Sequence, residues 1–197
     1  MKPILIRAVA ALLVSAPVAL AQTSQDAGGA TQSGGAAPVA PAAEAAANAK
    51  VDSATFIKTV PGANRFEVES SKLALEKASS ADVKAFAQMM VDDHTKAGED
   101  FEAALEKAQT TSATAPSGVA ADARTQGMLD ELKAASGEDF EAKYIAMQAD
   151  AHREAVALFA AYANSGDDPA LKEFAKATLP TLEMHEKKVK ELQAAHK

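Results

Sequence analysis

Cysteine is missing altogether from the 197 residues. That removes disulfides, thiolate metal sites and a lipid-attachment cysteine together. Cations are also short: 20 Lys and Arg stand against 27 Asp and Glu, for a formal net charge of −7. Nucleic-acid binding depends on neutralising phosphates with Lys and Arg, and docking on anionic lipid heads draws on the same surplus. The chain is therefore not expected to do either, and the simplest use of its acidity is solubility. Beyond the amino terminus no segment approaches the roughly 20 apolar residues of a spanning helix. There is no Gly-rich phosphate loop, nucleophile elbow or Ser/His/Asp pattern, so the sequence makes no positive case for an enzyme. No segment reads as a strand.

What is present begins with Lys2 and Arg7 around a short apolar run that closes on Ala19-Leu20-Ala21. A basic start, a short apolar stretch and small residues before the cut describe a secretory signal peptide over residues 1–21. Its removal takes away two positive charges and no negative ones. Export would place the mature protein in the periplasm, or outside the cell. Residues 22–52 are Ala, Gly, Gln, Ser and Pro with almost no large apolar side chain. A segment of this kind buries too little surface to offset its ordering entropy and is expected to be a flexible tether.

From residue 53 to 197 the composition turns to helix formers with regular apolar spacing. A first helical region over 53–78 is expected to break at Pro61-Gly62. A second, starting after a cap at Ser79, carries Val83, Phe86, Ala87, Met90, His94, Ala97, Phe101, Ala104 and Leu105 in one stripe at about 100° per residue. A Thr/Ser/Ala/Pro stretch over 110–117 leads to a short crossover helix from about Val119 to Ala135. A long helix follows, with Ser136 as its cap and Phe140, Tyr144, Met147, His152, Leu158, Phe159 and Tyr162 on its apolar face. Asp168-Pro169 opens the last helix with a cap and an N1 proline. Its stripe includes Leu171, Phe174, Leu182, His185, Val189 and Leu192, and Pro180 is expected to kink it. Long helices joined by short links within each hairpin imply an all-α, antiparallel four-helix bundle.

Three of the four histidines, His94, His152 and His185, lie inside the apolar stripes of three different helices. Burying an unpaired polar group costs a few kcal/mol, so each ring needs a partner. Counting back from the hairpin turns puts Glu67 and Glu69 near the height of His94, and separates His152 from His185 by about 7–8 Å of rise. Asp92, Asp150 and Glu183 each lie two residues before a histidine, about 200° around the helix. Asp93 lies about 100° from His94, at the rim. The carboxylate of a shared site is therefore expected from Glu67 or Glu69. Three imidazoles and a carboxylate suit zinc, copper or iron, with Met90 and Met147 on the same stripes. The same residues also describe a hydrogen-bonded polar core layer without metal, in which Gln148, Thr181 or water would satisfy the rings. Tyr144 and Tyr162 read as packing aromatics with hydroxyls reaching water, and His196 as a solvated tail residue.

Glu67-Val68-Glu69 with Lys72-Leu73-Ala74, then Met90-Val91-Asp92-Asp93-His94, Ala151-His152-Arg153-Glu154-Ala155-Val156, and Leu179-Pro180-Thr181-Leu182-Glu183-Met184-His185 resemble the motif blocks of the domain-of-unknown-function 4142 family. The resemblance spans about residues 53–196. It implies an exported bacterial protein with a ferritin-like helical bundle, and brings no settled activity. Di-iron bundles use Glu-x-x-His pairs. Here Val91, Ala149 and Leu182 stand three residues before the histidines, so that two-iron site is not encoded. Two functions are open at this point. One is an exported metal-binding protein. The other is a structural or stress-related periplasmic interaction module whose polar layer only fixes helix register. Protein partners are unknown.

Overall fold

The computed structural model describes residues 50–108 and 123–196, all within one compact unit, Val39–Lys197. The expected signal peptide over 1–21, nearly all of the expected tether, and the 110–117 crossover lie outside the described residues. The described residues are all-helical, with no strand. Five helices follow one another: α1 (Ser53–Lys77), α2 (Ala81–Lys107), α3 (Ala123–Ala134), α4 (Gly137–Ser165) and α5 (Pro169–Ala195). None is long and apolar enough to cross a membrane.

Only residues 78–80 join α1 to α2, and only 166–168 join α4 to α5. A link that short leaves the second helix no course but back along the first. Alongside those hairpin contacts, α2 packs on α5 and α1 on α4, while α3 lies against α1 and α4.

Both helices with an interior proline run on without a break. α1 continues through Pro61 and α5 through Pro180. The missing backbone donor costs each helix one ladder bond, yet the apolar residues on either side are held in the core and carry the helix past it. Phe56, Ile57 and Val60 precede Pro61, and Phe66 follows it.

The caps divide into two kinds. Asp52 accepts from the Thr55 amide at 2.8 Å, and Asp168 from the Ala170 and Leu171 amides at 2.9 and 3.0 Å. Ser80, rather than Ser79, caps α2, and neither Ser80 nor Ser136 makes a side-chain cap bond. The start of α2 is instead served by Glu141 of α4. Its carboxylate accepts the amides and hydroxyls of both Ser79 and Ser80 at 2.5–2.9 Å.

At the other end of the molecule, Asp167 accepts from the Ser53 amide at 2.9 Å and its hydroxyl at 2.6 Å. Tyr162 shares a hydrogen bond with the same hydroxyl. The two hairpins are thus tied together by side chains at both ends.

The core has two apolar clusters. One gathers Phe66, Val83, Phe86, Met90, Leu129, Leu132, Phe140, Tyr144, Ile145 and Val189. The other is centred on Phe56, whose ring meets those of Phe101, Phe159, Tyr162 and Phe174 at 4.1–6.4 Å between centroids. Burying each such side chain stabilises the fold by about 1.5–3 kcal/mol. Between the clusters every long helix contributes a polar residue. Asn64 falls between Val60 and Phe66 on α1, His94 between Met90 and Phe101 on α2, His152 between Ala149 and Phe159 on α4, and His185 between Leu182 and Val189 on α5.

Candidate metal centre

The three imidazoles come together in that layer. Ring centroids stand 5.6 Å apart for His94 and His152, and 5.4 Å for each of the other two pairs. The 7–8 Å offset between His152 and His185 from residue counting is not realised, for a geometric reason. Side chains lean toward the N-terminus of their own helix. On antiparallel helices His152 therefore leans away from the 166–168 turn while His185, further from that turn, leans back toward it.

Each ring uses one nitrogen on an acceptor outside the cluster. His94 Nδ1 meets Asn64 Oδ1 at 3.0 Å, His152 Nδ1 meets the backbone carbonyl of Gln148 at 2.9 Å, and His185 Nε2 meets Asp93 Oδ2 at 2.9 Å. A carbonyl or carboxylate oxygen only accepts, so each of these nitrogens carries the proton. In a neutral ring the other nitrogen then holds a lone pair. Those three, His94 Nε2, His152 Nε2 and His185 Nδ1, are buried with no hydrogen-bond partner. One ligating nitrogen from each ring lies within 4.8 Å of the others.

Burial and then the neighbouring His152 and His185 hold the His94 pKa well below the ordinary imidazole range. Burial also lowers that of His185, against the opposing pull of Asp93. Both rings are thereby kept neutral, the form that binds metal.

The two candidate carboxylates part company. Glu67 is buried, with Oε1 at 3.8 Å from His152 Nδ1. Burial pushes its carboxyl pKa up, while His152 and the Gln148 side chain pull it down. Its Oε2 and the Oε1 of Gln148 are also buried without partners. Glu69, two residues on, turns to the other side of α1 and takes Arg65 Nε at 2.6 Å, at a partly exposed position. The structure does not bring it to the histidines.

Asn64 and Asp93 are the residues the sequence reading missed. The helical wheel puts Asp93 at the rim of its own stripe, and that rim faces His185 on α5. Asn64 lies as far before the first turn as His94 lies after the start of α2, so hairpin counting could have found it. Gly98, one turn beyond His94, leaves the room: a Cβ there would stand 3.1 Å from Asn64 Nδ2.

Deeper along the α1–α4 contact, Gln148 Nε2 donates to Ser70 Oγ at 3.0 Å, and the Tyr144 and Ser71 hydroxyls pair at 2.9 Å. Tyr144 is thus fully buried, with its hydroxyl satisfied inside the protein rather than by solvent. His196 is also engaged, with Asp82 at 2.9 Å.

Three nitrogens about 2.1 Å from a tetrahedral ion stand about 3.4 Å from one another. Drawing these rings together by about 1.4 Å or less would meet that requirement. The donor set is all-nitrogen, which suits zinc, copper or iron better than magnesium or calcium.

A family model described as "Domain of unknown function (DUF4142)" matches residues 37–192. No curated protein and no solved structure matches the chain.

Proposed function

The chain belongs to the DUF4142 family, and on that footing we propose an exported protein that holds one transition-metal ion on His94, His152 and His185. One observation carries the reading. Among the described residues, three of the five buried side-chain atoms without a hydrogen-bond partner are nitrogens of the clustered rings, and the other two, Glu67 Oε2 and Gln148 Oε1, belong to residues next to His152. An orphaned buried polar atom costs about 1–3 kcal/mol. Those three rings each offer a nitrogen within 4.8 Å of the others, a spacing that a single ion can gather.

The partners of the opposite ring nitrogens support the same reading. Metal-bound histidines characteristically donate their other N–H to a carbonyl or carboxylate, which fixes tautomer and orientation. All three rings do so here. When bound, the ion would supply positive charge to three imidazole ligands, and Glu67 stands by as a buried carboxyl beside His152.

In this reading residues 1–21 are a signal peptide, 22–52 a tether and 53–197 the functional domain, delivered to the periplasm or secreted. The ring of contacts α1–α2, α2–α5, α5–α4 and α4–α1 supports an antiparallel four-helix bundle of ferritin-like type, with α3 as the crossover helix. The reading assigns metal holding and no reaction. The competing possibility is a metal-free polar layer in a structural or stress-related interaction module. It is favoured by the one partner each ring already has, and in it water rather than an ion would meet the remaining ring nitrogens.

Metal analysis of untagged protein isolated from the periplasm is the direct test. One equivalent of zinc, copper or iron is expected, and less than a tenth of an equivalent in His94→Ala. Protein that comes out metal-free and takes up none of the three on titration would overturn the proposal.

A further inference from the structure

The centre lies in the interior, with His152 and His185 fully enclosed and His94 only 6 % exposed. An ion must pass one of the walls to arrive. Between α1 and α4 the wall is closed by Glu67, Ser70 and Gln148, all buried. Beside His94, the neutral Asn64 side chain lies close against Gly98. The wall between α2 and α5 is different. Asp93 stands there with 39 % of its side chain exposed, and its Oδ2 touches Nε2 of a ring whose Nδ1 is one of the three orphaned nitrogens. Of the three acceptors that hold the clustered rings, it alone combines formal charge with this exposure. The neighbouring positions on the two helices are not bulky: Ala97, one turn beyond Asp93, and Thr181, one turn before His185, are small and half-buried.

We propose, resting on the metal reading above, that the ion reaches the three histidines through the seam between α2 and α5, with Asp93 as the residue that first receives it. A carboxylate at the mouth of a low-dielectric passage raises the local concentration of cations and the rate at which they arrive. Through its bond to His185 the same carboxylate is one ring away from the centre, so the ion need travel only across that imidazole's edge. Lys188 opposes it. It is exposed, lies one turn beyond His185, and is close enough to disfavour a positive charge on that ring.

The experiment follows the loading of apo full-length protein with cobalt(II), whose d–d absorption reports binding directly, by stopped flow at several salt concentrations. Asp93→Asn keeps an oxygen for His185 Nε2 and removes the charge. Its association rate constant is expected to fall about tenfold at low ionic strength and to converge on the wild type at high salt. Lys188→Ala should load faster than wild type. Asp100→Asn makes the same charge change on α2 at an exposed position paired with Lys96, and should load as wild type does.

Asp93→Asn loading no slower than Asp100→Asn overturns the route. So does an effect confined to faster dissociation, which is the mark of a residue that only orients His185. A wild type that shows no cobalt spectrum, and no uptake of zinc, copper or iron, sinks the metal reading instead. The two failures are therefore distinct.

Discussion

Asn64 and Gly98 carry no charge, yet between them they decide where the His94 lone pair points. Asn64 accepts from Nδ1, which leaves Nε2 for the cluster, and Gly98 gives the amide its space. Losing a hydrogen-bond partner of a metal-bound histidine typically lowers affinity 10–100-fold. Asn64→Ala is expected within that range by competition against a chelator of known affinity. Gly98→Ala, which displaces the amide by a few tenths of an ångström, should fall in the same direction by less. Equal affinity in all three proteins would mean that the ring is oriented by packing alone. The histidines themselves were legible because each interrupts an apolar stripe. Spacing put Glu69 on the face shared by Phe66 and Leu73 and Glu67 only at its edge, whereas in the structure Glu67 is the buried one and Glu69 turns outward.

At the scale of elements, the α1–α2 turn depends on a residue far away in sequence. Burial pushes the Glu141 carboxyl up, but hydrogen bonds from Ser80 and Ser79 outweigh this and bring its pKa down from 4.5 to about 2. A carboxylate whose folded pKa is depressed stabilises the native state above its unfolded pKa. That contribution is lost as pH falls through the folded value. Glu141→Gln is therefore expected to cost about 2–3 kcal/mol near neutral pH, by urea unfolding, with the gap to wild type closing between about pH 4.5 and pH 2. A gap that stays constant across this window would refute the role given to the charge. The sequence showed a serine at the starts of α2 and α4 and so invited serine caps, but at α2 the geometry lets Glu141 reach both Ser79 and Ser80 first. Likewise, Pro61 reads as a break until the buried residues on both sides are seen to hold α1 in line.

For the molecule as a whole, the proposed metal centre would make stability conditional on the ion. An ion present at 100 times its dissociation constant adds about 2.7 kcal/mol, worth about 10 °C in melting temperature for a domain of this size. Wild-type protein should show that rise with the bound metal and lose it to a chelator, whereas His185→Ala should melt at one temperature in both conditions. If wild type and variant differ equally with and without chelator, the layer serves only to fix helix register. No comparison of helices one at a time reveals this coupling, because it exists only where four of them meet.

The sequence alone determined the helices, their apolar faces, the connections short enough to force hairpins, and which three rings would lie inside. Those follow from local periodicity, which each segment carries by itself. Tertiary structure alone decided that the rings share one centre, that Glu67 rather than Glu69 turns inward, and that Asp93 reaches across to His185. Such outcomes depend on how far each helix is rotated and shifted against its neighbours. That relative placement is set by the packing of all the faces together, so no single segment encodes it.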